Sequence, residues 1–349
     1  MSTSYRPVAW NPQKRRYDLT AASVIVAFLV VTPVVQAILR PELTIETLLI
    51  RTLGAGAFTL LTVILCIGPL SRLDRRFLPL LYNRRHLGVM MFALALGHGV
   101  FSIVQFHAFG ALDPLVSVLV SNSRYTTINQ LPFQPFGLAA LLILFLMAAT
   151  SHDFWLHNLT APVWKTLHMC VYVAYTCIVL HVVFGVLQGE LGRVLAWAVC
   201  GGVLTVFGLH LVAARQEATR DRENSTAPLD GFVDVCRVSD IPEKRAVMAC
   251  LSGDRVAVFR YDGRISAISN VCQHQNGPLG EGRIVNGCVV CPWHGYEYEP
   301  ATGASPAPFT EKVPTFDVRV VGDRVLVHPQ PHAPGTRVEP AALEEARIA

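Results

Sequence analysis

Residues 86–112 read HLGVMMFALALGHGVFSIVQFHAFGAL, 27 residues without an Asp, Glu, Lys or Arg. A run of roughly 18 to 20 such residues is long enough to cross a bilayer as a helix. This one predicts a membrane span that carries His86 at one end and His98 inside it. Five more uncharged runs of at least 20 residues lie at 19–39, 52–71, 125–152, 166–189 and 194–214, and none follows residue 214. The reading is an all-α bundle of six transmembrane helices over 18–214, after an N-terminal segment, 1–17. Charged residues make up 15% of the 349 residues, against about 25% in soluble proteins, which excludes a wholly soluble enzyme.

Basic residues give the orientation. Taking the N-terminus as inside, the inner segments 1–18, 72–85 and 153–165 and the start of the tail hold 13 Lys and Arg, and the outer segments hold 4. An excess of Lys and Arg marks the cytoplasmic side, so both termini are expected there, in a multi-pass protein of the cell's inner membrane. The basic balance is accounted for by the lipid bilayer, with no nucleic acid partner. Lys14-Arg15-Arg16 precedes about 20 apolar residues with no small-x-small cleavage site, so the first run reads as a retained helix.

After Ala214 the texture changes. The segment 215–230, RQEATRDRENSTAPLD, reads as a linker, and from about 231 the period becomes two: FVDVCRV, RVAVFR, RISAIS, RIVNGCVV, VPTFDVRVV and RVLVHP. Turn pairs such as Asp262-Gly263 and Asn286-Gly287 separate them, which predicts a soluble all-β domain over 231–331. Residues 332–349 read as a tail, and no internal repeat stands out.

Cys272-Gln273-His274 and Cys291-Pro292-Trp293-His294 lie 16 residues apart in this domain. Two loops can thus each offer one thiolate and one imidazole, a donor set that suits zinc or a 2Fe-2S cluster. The tight Cys-x-His and the order Cys, His, Cys, His differ from zinc fingers. Cys288, Cys236 and Cys250 are expected in the core. Over 228–330, from AVFRYDGRISAISNVCQHQNGPLG to CPWHGYEYEPATG, the chain resembles the Rieske family. That resemblance implies Cys272 and Cys291 on one iron and His274 and His294 on the other. Gly277, or its neighbours, and Trp293 stand where the cytochrome bc members carry a disulfide, and Tyr296 stands where they place a serine. Fewer hydrogen bonds to sulfur mean a lower potential, so the resemblance is to the ferredoxin type.

Ionisable residues in a membrane mark function by default. At 1.5 Å per residue, His168 and His181 stand about 20 Å apart along their helix, and His86 and His98 about 18 Å. Two levels result, His98 with His181 and His86 with His168, and paired imidazoles at one height can ligate haem. RTLGAGAFTLLTVILCIGPLSRL, NRRHLGVMMFALALGHGV and AATSHDFWLHNLTAPVWKTLHMCVYVAYTCIVLH resemble the ferric-reductase-like transmembrane family, in particular its MsrQ/YedZ branch, over about 18–212. The resemblance implies haem b, with His98, His168 and His181 on ligand positions. His86 falls outside them, so a second haem on His86 and His168 rests on the height match alone. His107, His152, His157 and His210 read as interfacial or solvated, and Arg51 is a candidate partner for a haem propionate.

Together these features predict an electron-transfer protein. A cytoplasmic reductase or the quinone pool feeds the cluster, and haem passes electrons to an acceptor at the outer face. A non-enzymatic redox sensor and a quinol-linked cytochrome b are the competing readings. No Gly-x-Gly-x-x-Gly follows a strand, and no stretch remains for a mononuclear iron domain, so neither a built-in nicotinamide or flavin module nor oxygenase activity is expected.

Overall fold

The structure is a computed structural model that describes residues 12–81, 84–120, 131–151, 155, 159, 161–185, 192–223, 231–274, 277–293 and 295–343. The chain divides into two compact units, the boundary falling between Leu211 and Val212. The first unit is helical: α1 (Pro12–Leu39), α2 (Ile45–Leu73), α3 (Arg84–His107), the short α4 (Pro114–Val120), α5 (Gln134–Ala149), α6 (Ala161–Met169), α7 (Val171–Phe184) and α8 (Gly192–Glu223), which runs past the boundary.

Five of the described helical segments are long and apolar enough to cross a membrane: Arg15–Leu39, Ile45–Leu73, Arg84–His107, Thr166–Phe184 and Val194–Thr219. The fourth expected span, 125–152, is represented by α5, whose 16 residues reach about 24 Å against a hydrocarbon core of about 30 Å. Pro135 sits in its first turn, where a missing N–H costs nothing, and Thr150 closes it, its amide and hydroxyl both turning back to the Leu146 carbonyl. The count of six full spans is therefore reduced to five and one shorter apolar helix among the described residues.

Exposure is inverted relative to a soluble bundle. Val24, Val30, Ile38, Trp197 and Phe207 face outward, as lipid permits. Inside, Leu61, Leu65, Met91, Leu144, Ala174 and Val206 form the core. The Thr62 hydroxyl meets that of Tyr175 at 3.2 Å and also donates to the Phe58 carbonyl, so these two hydroxyls are satisfied within the bundle.

The second unit carries the β domain: β1 (Val233–Arg237), β2 (Arg245–Leu251), β3 (Asp254–Tyr261), β4 (Arg264–Ser269), β5 (Arg283–Val285), β6 (Cys288–Val290), β7 (Glu297–Tyr298), β8 (Thr315–Phe316), β9 (Val318–Val321), β10 (Arg324–Val327) and β11 (Ala341–Ala342). They form three antiparallel sheets: β1-β10-β9; β11-β4-β3-β2, with β8 also on β4; and the small β5-β6-β7. Asn286-Gly287 joins β5 to β6 with both residues at positive φ, 52° and 81°, the tight hairpin turn its sequence predicts.

Two expectations at the borders of this unit are corrected. The segment 215–230 is helical as far as Glu223, because RQEATRDRE contains no Gly or Pro to stop α8; residues 224–230 lie outside the described residues. The expected tail is folded as far as 343: the Thr315 hydroxyl donates to the Thr336 carbonyl, β11 pairs with β4, and Leu343 packs against the core. Its short strand, without alternation, left no periodic signal.

Candidate functional site

In the β domain, Cys272 follows β4 in a loop closed on itself by Asn270. The Asn270 carbonyl accepts from Leu279 N, its side-chain oxygen accepts from Gly280 N at 2.6 Å, and Cys272 N donates to the Gly277 carbonyl. Cys291 follows β6 directly, where its amide donates to the Tyr296 carbonyl at 2.7 Å and its own carbonyl accepts from Gly295 N. The two loops meet. A Cβ on Gly277 would lie 2.7 Å from Cys291 Sγ, so only glycine fits there.

Cys272 and Cys291 are each 1% exposed, and neither is in a disulfide. Tyr298 lies in reach of both sulfurs: burial first, then Cys272 and Cys291, pushes its phenol well above the usual range. Its oxygen stands 3.4 Å from Cys272 Sγ and accepts from Gln273 N at 3.1 Å. The His274 ring stacks on Tyr296 at 4.2 Å with planes 11° apart. The Tyr296 hydroxyl donates to Glu311. Burial and the Glu311 charge hold that phenol protonated. His294 lies outside the described residues. Two buried, unbridged thiols with an imidazole at the same loops fit the donor set of a 2Fe-2S cluster.

The other cysteines divide. Cys236 belongs to the core, and burial pushes its thiol up to about 12. Cys288 is half-buried on the strand face opposite the buried Val289, its thiol raised to about 11 by burial and then by Glu297 and Glu299. Cys250 is also half-buried. It sits one residue from each of the buried Ala249 and Leu251, on the other face of β2.

In the helical unit, His98 on α3 and His181 on α7 face each other with ring centroids 6.1 Å apart and planes at 86°. His98 Nδ1 donates to the Ile50 carbonyl and His181 Nδ1 to the Phe133 carbonyl, each at 2.9 Å. A carbonyl can only accept, so both Nδ1 atoms carry the proton and both Nε2 atoms keep a lone pair for a metal. Two metal–nitrogen bonds of about 2 Å, with about 1 Å from each nitrogen to its ring centre, span about 6 Å. The observed separation fits an iron held between two imidazoles.

His86 and His168 are not brought together in this way. His86 Nδ1 stands 2.8 Å from the Asp18 carboxylate, because α1 brings its single acid to that end of α3. His168 donates to the Trp164 carbonyl, stacks on the Trp164 ring at 3.7 Å, and turns Nε2 toward Ser151. His107 is buried with its Nδ1 at 2.8 Å from the Ser117 hydroxyl, and the half-buried His210 bonds Tyr172 and the Val206 carbonyl. His152 and His157 lie outside the described residues. Arg51 is half-buried beside Ile50.

Residues 231–317 match the sequence model of the Rieske [2Fe-2S] domain, and 53–179 match that of the ferric reductase like transmembrane component. The chain is a fusion of these two domain types. Over the Rieske part it is 38% identical to the anthranilate 1,2-dioxygenase ferredoxin subunit of Burkholderia cepacia, across 21% of this chain and 68% of that one. It is 28% identical to the ferredoxin component of the naphthalene 1,2-dioxygenase system of Pseudomonas aeruginosa, across 28% of this chain and 93% of that one. Among solved structures, the ferredoxin of carbazole 1,9a-dioxygenase from Nocardioides aromaticivorans IC177 is 29% identical, covering 28% of this chain and 98% of its own, with a TM-score of 0.27. A ferredoxin-type Rieske domain joined to a multi-pass, ferric-reductase-like membrane domain indicates electron transfer at a membrane.

Tyr298, Gly54 and Gly137 border these sites and were not singled out from the sequence.

Proposed function

We propose that this protein carries single electrons through a membrane, between a cytoplasmic donor and an acceptor at the outer face. In this reading Cys272, His274, Cys291 and His294 hold a Rieske 2Fe-2S cluster, and His98 and His181 hold haem b. These groups supply one-electron chemistry at fixed potential when bound. His168 stays a candidate for a further haem, and His86 is withdrawn from that role because its ring serves Asp18.

The chain's own residues set the conditions. The carbonyls of Ile50 and Phe133 fix the ligand tautomer and raise the basicity of each Nε2. The Tyr298 hydroxyl supports Cys272, and the shell of Phe259, Leu279, Val289 and Val313 keeps water from the two sulfurs. A cytoplasmic reductase or the quinone pool would be the donor, and the Lys and Arg excess supports a cytoplasmic Rieske domain.

The facing imidazoles of His98 and His181 carry this reading. An anaerobic redox titration of the purified full chain tests it, followed optically for haem and by EPR for the cluster. The expected result is a b-type α-band, abolished by His98→Ala or His181→Ala, and a Rieske EPR signal abolished by Cys272→Ser. Absence of the α-band removes the haem assignment, and absence of the EPR signal after full reduction removes the cluster assignment. Continuous turnover with an added acceptor would separate a carrier from a sensor.

A further inference from the structure

The two facing histidines sit in matching surroundings. His98 holds the carbonyl of Ile50, and Gly54, one turn further along α2, lies under its ring; His181 holds the carbonyl of Phe133, and Gly137, one turn further along α5, lies under its ring. Each histidine follows its carbonyl by 48 residues. An offset of 83 residues therefore superposes all three positions, and it also pairs Ala57 with Ala140, Leu61 with Leu144 and Phe101 with Phe184. Both alanines and both leucines of these pairs are buried. The internal repeat missed in the sequence is thus a helical hairpin, present once as α2–α3 and once as α5–α7.

A Cβ on Gly54 would stand 2.9 Å from His98 Nδ1, and one on Gly137 would stand 2.7 Å from His181 Nδ1. The Nδ1–H···O=C bond ties each ring at one edge, and the bare glycine lets the ring lie against the neighbouring backbone. Tie and seat together leave each ring one orientation. The two rings, each tied and seated in this way, stand with their planes 86° apart.

We propose that Gly54 and Gly137 are positioning residues that hold the axial imidazoles of one haem perpendicular to each other. This deepens the haem assignment above and rests on it. Perpendicular imidazoles leave the iron π-orbitals nearly degenerate, which gives ferric low-spin haem a strongly anisotropic EPR signal with one dominant low-field feature. Near-parallel planes split those orbitals and give a rhombic three-feature signal.

The test is EPR of the ferric full-length protein and of Gly54→Ala, Gly137→Ala and the control Gly88→Ala, whose added Cβ meets nothing within 4 Å. Wild type and the control are expected to show the strongly anisotropic signal. The haem retained by Gly54→Ala and Gly137→Ala is expected to shift toward the rhombic pattern while the thermal transition stays that of the wild type, so that the change reports ring orientation and not loss of fold. A rhombic signal from every low-spin haem in the wild type overturns the proposal even if the alanine variants lose haem. So do unaltered line shapes in both alanine variants. A wild-type protein without any b-type α-band instead defeats the haem assignment itself.

Discussion

The hydroxyl of Tyr298, 3.4 Å from Cys272 Sγ, is placed to donate, since a thiolate ligand has no proton to give. Such a bond favours the more negative, reduced state of a cluster. It partly offsets the low potential expected from Tyr296 standing in place of serine. A hydrogen bond is worth about 1 kcal/mol net, so Tyr298→Phe should lower the midpoint by on the order of 40 mV for one electron. Voltammetry of the full chain checks this, and an unchanged midpoint would show that the contact does not tune the site. At the other pair, His86→Ala should leave haem content and every haem midpoint unchanged while destabilising the protein by about 1 to 3 kcal/mol, through the lost bond to the Asp18 carboxylate. Loss of a haem from that variant would restore His86 as a ligand. Height along a helix was legible in the sequence, and it paired His98 with His181. Ring direction was not legible, because it depends on Asp18, 68 residues away.

At the scale of elements, β1 and the segment 332–343 lend themselves to measurement. Cys236 on β1 lies in the core, and burial raises its thiol from 9.0 to about 12. The folded state thus holds this proton more tightly than the unfolded chain does. The associated stability is complete below about pH 9 and is lost as pH rises toward about 12. Denaturant midpoints of the β domain in the full chain should therefore fall from pH 8.5 to pH 11 by more in wild type than in Cys236→Ala, after allowing for the alanine variant's own offset. Equal slopes would show that this thiol does not contribute. Ending the chain at residue 331 removes β11, the Thr315–Thr336 bond and the Leu343 contact, about 1 to 2 kcal/mol in all. The thermal transition of the β domain should then drop by roughly 5 to 15 °C, and a drop under 2 °C would show the segment to be dispensable. The main strands were legible because their side chains alternate and Asx-Gly pairs separate them. β11 was not, because a two-residue strand held by long-range hydrogen bonds has no local pattern.

For the molecule as a whole, the two units follow from two solvents. Where the bilayer is the solvent, backbone groups pair within helices and apolar side chains face outward, and uncharged runs made that half readable. What the runs could not show was their own ends: 125–152 is uncharged throughout, yet the helix within it begins after Pro132 because a second proline, Pro135, occupies its first turn. A shorter helix does not remove the charge asymmetry, with 13 Lys and Arg in the inner segments against 4 in the outer ones. That asymmetry predicts orientation through the flanks of the spans rather than their lengths. Phe109, in the turn after α3, is 88% exposed and lies in a connection expected at the outer face. Ala333, on the β domain, is exposed and is expected inside. In intact spheroplasts an impermeant maleimide should label Phe109→Cys and should reach Ala333→Cys only after lysis. The reverse pattern would invert the direction of electron flow proposed above while leaving both cofactor assignments in place.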